Sequence, residues 1–159
     1  AEPLSIGVGF PASATGERVF LALRQMWRAI GVRLELQPLE GRAYLAALTA
    51  RKFDLFSHNS FATVPSATPF LERYVSDASL NFTGYRNRNF DRNFLLAQSE
   101  LTLEARANDY AALERDLLRD LPMIPLFIGA THRLLSPRVR GWTGHTGVLQ
   151  PSQFLSLTT

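Results

Sequence analysis

The sequence predicts an α/β fold, a mixed β-sheet flanked by helices, and three observations carry that expectation. Val19, Phe20, Leu23, Met26, Trp27 and Ile30 recur at the 3.6-residue period of an amphipathic helix. Val32, Leu34 and Leu36 alternate with Arg33, Glu35 and Gln37, the period of two expected of a strand with one buried face. Further on, Leu103 to Leu121 places Tyr110, Leu113, Leu117 and Leu121 on one helical face before Pro122 closes the run.

Taken in order, Leu4 to Phe10 reads as a short strand and Pro11 to Gly16 as a loop ending at a helix cap such as Ser13 or Thr15. The helix is expected from Glu17 to Ile30, with Gly31 as its stop because glycine takes positive φ at little cost. The strand at Val32 ends at Pro38. Gly41 to Arg51 carries Tyr44, Leu45 and Leu48 at helical spacing, and Phe53 to Ser57 is short, aromatic and strand-like. Strand, helix, strand, helix, strand predicts right-handed crossovers with helices packed on a parallel sheet.

After Ser57 the chain from His58 to Ser66 becomes a polar loop without periodicity. Phe70 to Val75 reads as a short helix, Asp77 to Asn89 as a loop, and Phe90 to Glu100 as a helix. Met123 to Ile128 is apolar and β-prone, and Pro125, which lacks a donor, assigns it to an edge strand or a bulge. From Ser136 onward Pro, Gly and Thr dominate, and no element there builds its own core. The expected organisation is an α/β domain over 1–135 and a tail over 136–159. Trp142, Val148, Leu149, Phe154 and Leu155 in that tail favour self-association.

Composition narrows the function classes. A chain of 159 residues, 46% hydrophobic and 11% aromatic, can bury a real core. Seventeen basic residues against fourteen acidic give a net charge of +3. All the basic residues except Lys52 are arginines, and they are dispersed, which argues against a nucleic-acid partner. The absence of cysteine removes thiolate metal sites, a thiol nucleophile and disulfides. No run approaches the roughly 18 apolar residues of a membrane span, and no basic and apolar leader opens the chain, so Ala1-Glu2-Pro3 reads as a processed or truncated start.

Gly7-Val8-Gly9-Phe10-Pro11-Ala12 fits G-x-G-x-x-A after a strand, with Glu35 downstream, so a nucleotide-dependent enzyme with a Gly-rich turn at Gly7 and Gly9 is the alternative to weigh. Against it, the helix is expected to begin only near Gly16 or Glu17, and Pro11 removes a phosphate-binding N–H. His58, His132 and His145 have no ligand spacing, so no metal is expected; no G-x-S-x-G occurs, and neither catalytic residues nor a cofactor are assigned. Tyr85 to Arg92 mixes arginine with aromatics, the composition of a single-strand stacking surface. The simpler reading is a solvated loop capping a helix, with Asn89 near the N-cap and Asp91 in the first turn.

Gly84-Tyr85-x-Asn87-x-x-Phe90-Asp91 resembles a motif of the family 5 extracellular solute-binding proteins, the group of oligopeptide, dipeptide and nickel receptors. Leu23 to Leu36 resembles the family's helix, glycine turn and strand; Lys52-Phe53-Asp54-Leu55 its aromatic-Asp strand; and Phe70-Leu71 the helix after its cleft loop. Leu121-Pro122-Met123-Ile124-Pro125-Leu126-Phe127 is similar to its Pro-x-x-Pro strand, continued by Arg133-Leu134 and Val139-Arg140-Gly141. The matches follow family order from near Leu4 to about Trp142. Since members of the family are much longer, the resemblance implies a fragment of the C-terminal lobe of a type II periplasmic-binding-protein-like fold.

What the resemblance implies is a binding protein and not an enzyme. It would be periplasmic, would pair with the N-terminal lobe of the same receptor, and would deliver a peptide or other small solute to an ABC permease in the membrane. In peptide-binding members the loop after the aromatic-Asp strand carries a Trp and an Asp-Tyr pair, the Asp holding the peptide's α-ammonium. Those places fall here at Ser60, Thr63 and Val64. Thr63 carries no charge, so a sugar, an opine-like compound or another small polar solute stays open beside a peptide. The expected ligand-binding residues are His58, Asn59, Ser60, Phe61 and Thr63, with Asn81 and Tyr85 as neighbours.

Overall fold

A computed structural model of the chain describes residues 3–62, 66–129, 134–142 and 152–158. The chain divides into two compact units, Ala1–Ser60 and Phe61–Thr159. That boundary falls inside the polar loop; the expected division between 135 and 136 lies within the second unit.

The first unit is a three-stranded parallel sheet in the order β2-β1-β3. Strand β1 (Leu4–Pro11) pairs along its whole length with β2 (Val32–Leu39), and through Val8 and Gly9 with the two-residue β3 (Leu55–Phe56). Helix α1 (Ala14–Arg28) and helix α2 (Gly41–Thr49) make the crossovers. Alternation along β1 sends Val8 and Phe10 to one face and Gly7 and Gly9 to the other. On the first face Val8, Phe10, Leu34 and Phe20 of α1 form a buried cluster, joined by Ile6, Leu23, Trp27, Val32, Leu36 and Leu55. The Phe10 and Phe20 rings stack with centroids 4.7 Å apart. Burying a side chain of this size contributes about 1.5–3 kcal/mol.

Helix α1 begins three residues before the expected Glu17. The Ser13 hydroxyl caps it by accepting from the Gly16 N–H at 3.0 Å, a polar signal that an apolar stripe does not report. Gly31, at φ 81°, turns the chain into β2. Of the apolar stripe, Phe20 is buried and Leu23 and Trp27 pack beside it, whereas Met26 and Ile30 are exposed.

The second unit packs helices α3 (Thr68–Leu71), α4 (Arg88–Ser99) and α5 (Leu103–Asp120), with described 3₁₀ turns at Glu72–Tyr74 and Ser152–Phe154. Leu71, Phe90, Phe94, Ala97, Tyr110, Leu113 and Leu117 form its core, with Tyr74, Val75 and Tyr85 against it. The Thr102 hydroxyl caps α5, and Leu121, left-handed at φ 52°, ends it just ahead of Pro122. The N-cap of α4 is Asn87, not Asn89: the Asn87 side chain accepts from the N–H groups of Asn89 and Phe90 at 3.0 and 3.2 Å.

Met123 to Ile128 forms no strand, so the strand expected there is absent, and among the described residues the main sheet is wholly parallel. Pro125 has no N–H to offer a ladder, and Ile124, Leu126, Phe127 and Ile128 all stay exposed. Among the described residues the one antiparallel pairing joins β4 (Val139–Arg140) to β5 (Ser156–Leu157), tying the two described parts of the tail to each other. Val148 and Leu149 lie outside the described residues. No described helix is long and apolar enough to cross a membrane.

Candidate functional site

The order β2-β1-β3 contains a topological switch. From β1 the chain crosses to one neighbour through α1, and from there to the opposite neighbour through α2. In open parallel sheets, ligands collect beyond the carboxyl ends of the strands flanking such a switch, here β1 and β3. The carboxyl end of β3 leads directly into Ser57 and the loop His58-Asn59-Ser60, all three of which are exposed. The loop chosen in the sequence reading thus starts at the carboxyl end of β3.

Local packing fixes where that loop starts. The Ser57 N–H donates to the Gly9 carbonyl at 3.0 Å. One step before β3, the Gly7 N–H donates to Asp54 Oδ2 at 2.8 Å. Both glycines lie inside β1, and Gly9 serves close approach: a Cβ there would sit 2.8 Å from ring atoms of both Phe53 and Phe56, whereas one on Gly7 would meet Phe53 at an ordinary 3.4 Å. Gly7 and Gly9 thus form no phosphate-binding turn. Gly9 makes room for the aromatic side chains beside β3, and this replaces the nucleotide-enzyme alternative with a packing explanation.

Phe61, 66% exposed, opens the second unit, and Thr63 lies outside the described residues, as do His132 and His145. Asn81 is a different kind of residue from the loop. It is buried, and its Nδ2 donates to the carbonyls of Val75 and Tyr85 at 3.1 and 2.8 Å. Its Oδ1 accepts from the Thr83 hydroxyl and the Gly84 N–H, both at 3.0 Å. Two donors and two acceptor positions are all that an amide has, so the side chain is fully engaged in folding the 75–85 loop.

Tyr85 is engaged as well. Its hydroxyl donates to Asp120 Oδ2 at 2.7 Å and accepts from Asn87 Nδ2 at 3.0 Å, while its ring meets Phe90 edge to face at 5.7 Å. Burial first, and then the bond to Asp120, push its phenol up to about 12. The Asp120 carboxyl is held below its ordinary value, chiefly by the Tyr85 hydroxyl, and it also pairs with Arg119 at 3.3 Å. Asn81 and Tyr85 therefore shape the helix-capping loop that carries the Gly84-Tyr85-x-Asn87 pattern. The residue the sequence reading missed is Tyr44, whose hydroxyl donates to the Ser57 carbonyl; its helical spacing marked it only as part of an apolar face. Among the described residues no three His, Asp or Glu side chains gather in a way that could hold a metal ion.

No family model matches the chain. Curated proteins do. The periplasmic oligopeptide-binding protein OppA of Haemophilus influenzae is 29% identical over 149 residues, covering 91% of this chain and 27% of that protein. The periplasmic murein peptide-binding protein MppA of Escherichia coli is 26% identical over 142 residues, covering 89% of this chain and 26% of that protein. Among solved structures, OppA of Burkholderia pseudomallei is similar at a TM-score of 0.86 and 25% identity, over 99% of this chain and 31% of that one. The chain spans about a quarter of the length of these curated relatives.

Proposed function

We propose, from the premise that this chain belongs to the family 5 extracellular solute-binding proteins, that it forms part of the C-terminal lobe of a receptor that captures a peptide or other small polar solute for an ABC importer. The observation that carries this reading is the loop His58-Asn59-Ser60 leaving the carboxyl end of β3 at the switch of a parallel sheet, in a chain whose relatives are named for binding peptides. The role is binding without catalysis. The site of action is the periplasm, by analogy with the relatives' names. The remaining lobe of the receptor and a membrane permease are the partners.

The ligand-facing residues are His58, Asn59, Ser60, Phe61 and Thr63, which combine hydrogen-bonding groups with one aromatic wall. Asn81 and Tyr85 hold their own loop over 75–85 from within. Ligand pockets enclose about 70–90% of a small solute, and one lobe supplies about half of such an enclosure. The isolated chain accordingly binds weakly, since the fixed entropic cost of association is unchanged.

The test uses the whole receptor: identify the solute by mass spectrometry of the purified protein, then measure its Kd for Asn59→Ala and Phe61→Ala. Each replacement is expected to weaken binding by about tenfold, equivalent to about 1.4 kcal/mol. If both leave Kd within about a factor of two, the loop does not hold the ligand.

A further inference from the structure

The strand that launches the loop is two residues long, and a ladder that short leaves its end to fray. Side chains supply what the ladder lacks. Upstream, Asp54 Oδ2 takes the Gly7 N–H at 2.8 Å, acting as one more rung before β3 begins. Downstream, Ser57 is held on both sides: its N–H by the Gly9 carbonyl at 3.0 Å, its carbonyl by the Tyr44 hydroxyl. Next along the chain is His58.

Tyr44 projects from α2, half-buried, with its ring edge to face against Phe56 at 6.3 Å, and Phe56 meets Phe53 in the same way at 5.4 Å. Burial pushes its phenol up from an ordinary value that already leaves the hydroxyl protonated at neutral pH. A tyrosine present only to pack would need no oxygen.

We propose that Tyr44 is the positioning residue that fixes the base of the loop His58–Ser60, with Asp54 as its counterpart at the other end of β3, and that together they set the geometry the loop presents to its ligand. This rests on the loop facing the ligand, as argued above. Neither residue has to touch the solute; each acts through the backbone of β3 and Ser57.

The experiment follows amide hydrogen exchange at Ser57 in the isotopically labelled chain. Tyr44→Phe keeps the ring and removes the donor. It should speed exchange at Ser57 by about tenfold while the amides of the β1–β2 ladder keep their wild-type rates. Asp54→Ala should act in the same direction, and Asp54→Asn, which retains an acceptor oxygen for the Gly7 N–H, should restore exchange to near wild type. Unchanged exchange at Ser57 in Tyr44→Phe overturns the proposal, and so does a rise shared equally by the whole sheet, which would make Tyr44 an ordinary structural residue. The Kd values of Asn59→Ala and Phe61→Ala in the whole receptor, measured as above with the solute identified by mass spectrometry, test the premise separately. Losses of about tenfold support it. Values within about a factor of two refute the ligand-facing reading, and with it the ligand half of the proposal, while the exchange result alone still decides the positioning role.

Discussion

Replacing Asn81 with alanine separates a structural residue from a ligand-binding one. The change removes four hydrogen bonds of 2.8–3.1 Å in a residue only 6% exposed. The Thr83 hydroxyl is exposed and can turn to water, and the Val75 carbonyl keeps the Ala78 N–H at 3.1 Å, which leaves the Tyr85 carbonyl and the Gly84 N–H to lose their Asn81 partner. Two main-chain groups at about 1 kcal/mol each give an expected loss of about 2 kcal/mol. Urea denaturation of the chain, followed by circular dichroism and by the fluorescence of its tryptophans, measures it. Asn59→Ala is the control, because Asn59 is exposed and such a change falls within about 0.5 kcal/mol of wild type. An Asn81→Ala chain within that same margin would refute the assignment of Asn81 to the loop's framework and return it to the ligand site.

Gly9→Ala places a methyl 2.8 Å from two aromatic rings and is expected to destabilise the first unit by about 1–2 kcal/mol, the overpacking cost less what alanine saves in the unfolded chain; a rise in Tm would contradict the packing role. Stability should also follow pH at both ends through Tyr85 and Asp120. The depressed Asp120 carboxyl contributes stability that is present above about pH 4 and lost as pH falls through its lower folded value, so the urea midpoint of wild type should drop more steeply from about pH 5 to 2 than that of Asp120→Asn. The raised Tyr85 phenol contributes stability that is complete below about pH 10 and lost as pH rises toward 12, a decline that Tyr85→Phe should abolish. Parallel curves for wild type and variant at either end would count against that half of the network.

Where burial follows periodicity, the sequence is readable. Tyr110, Leu113 and Leu117 occupy one side of α5 as their spacing requires, and Leu34 turns inward between the exposed Arg33 and Glu35. Polar signals are harder to read. Ser13 and Asn87 both cap helices, but each has a competing candidate nearby in Thr15 or Asn89, and only the backbone geometry decides between them. Met123 to Ile128 shows the limit of composition, since apolar residues become a strand only where a partner ladder exists, and Pro125 works against one. The loop His58–Ser60 is visible in the sequence as polar, aperiodic chain following a strand. Its anchor Tyr44 is not, because a hydrogen bond to a carbonyl 13 residues away leaves no local pattern.

The unequal lengths of the two ladders on β1 carry an expectation for the order in which the first unit folds. Joining β1 to β2 closes a loop of about 30 residues, as between Ser5 and Glu35, and joining β1 to β3 one of about 47, as between Gly7 and Asp54. Loop-closure entropy grows only with the logarithm of length, so the longer closure costs about 0.4 kcal/mol more. The returns differ far more: the first closure is rewarded by pairing from Leu4 to Pro11, the second by pairing at Val8 and Gly9 alone. Nucleation is therefore expected in the β1-α1-β2 crossover unit, with β3 condensing onto that template. On this expectation the segment proposed to meet the ligand is the last piece of its unit to be assembled.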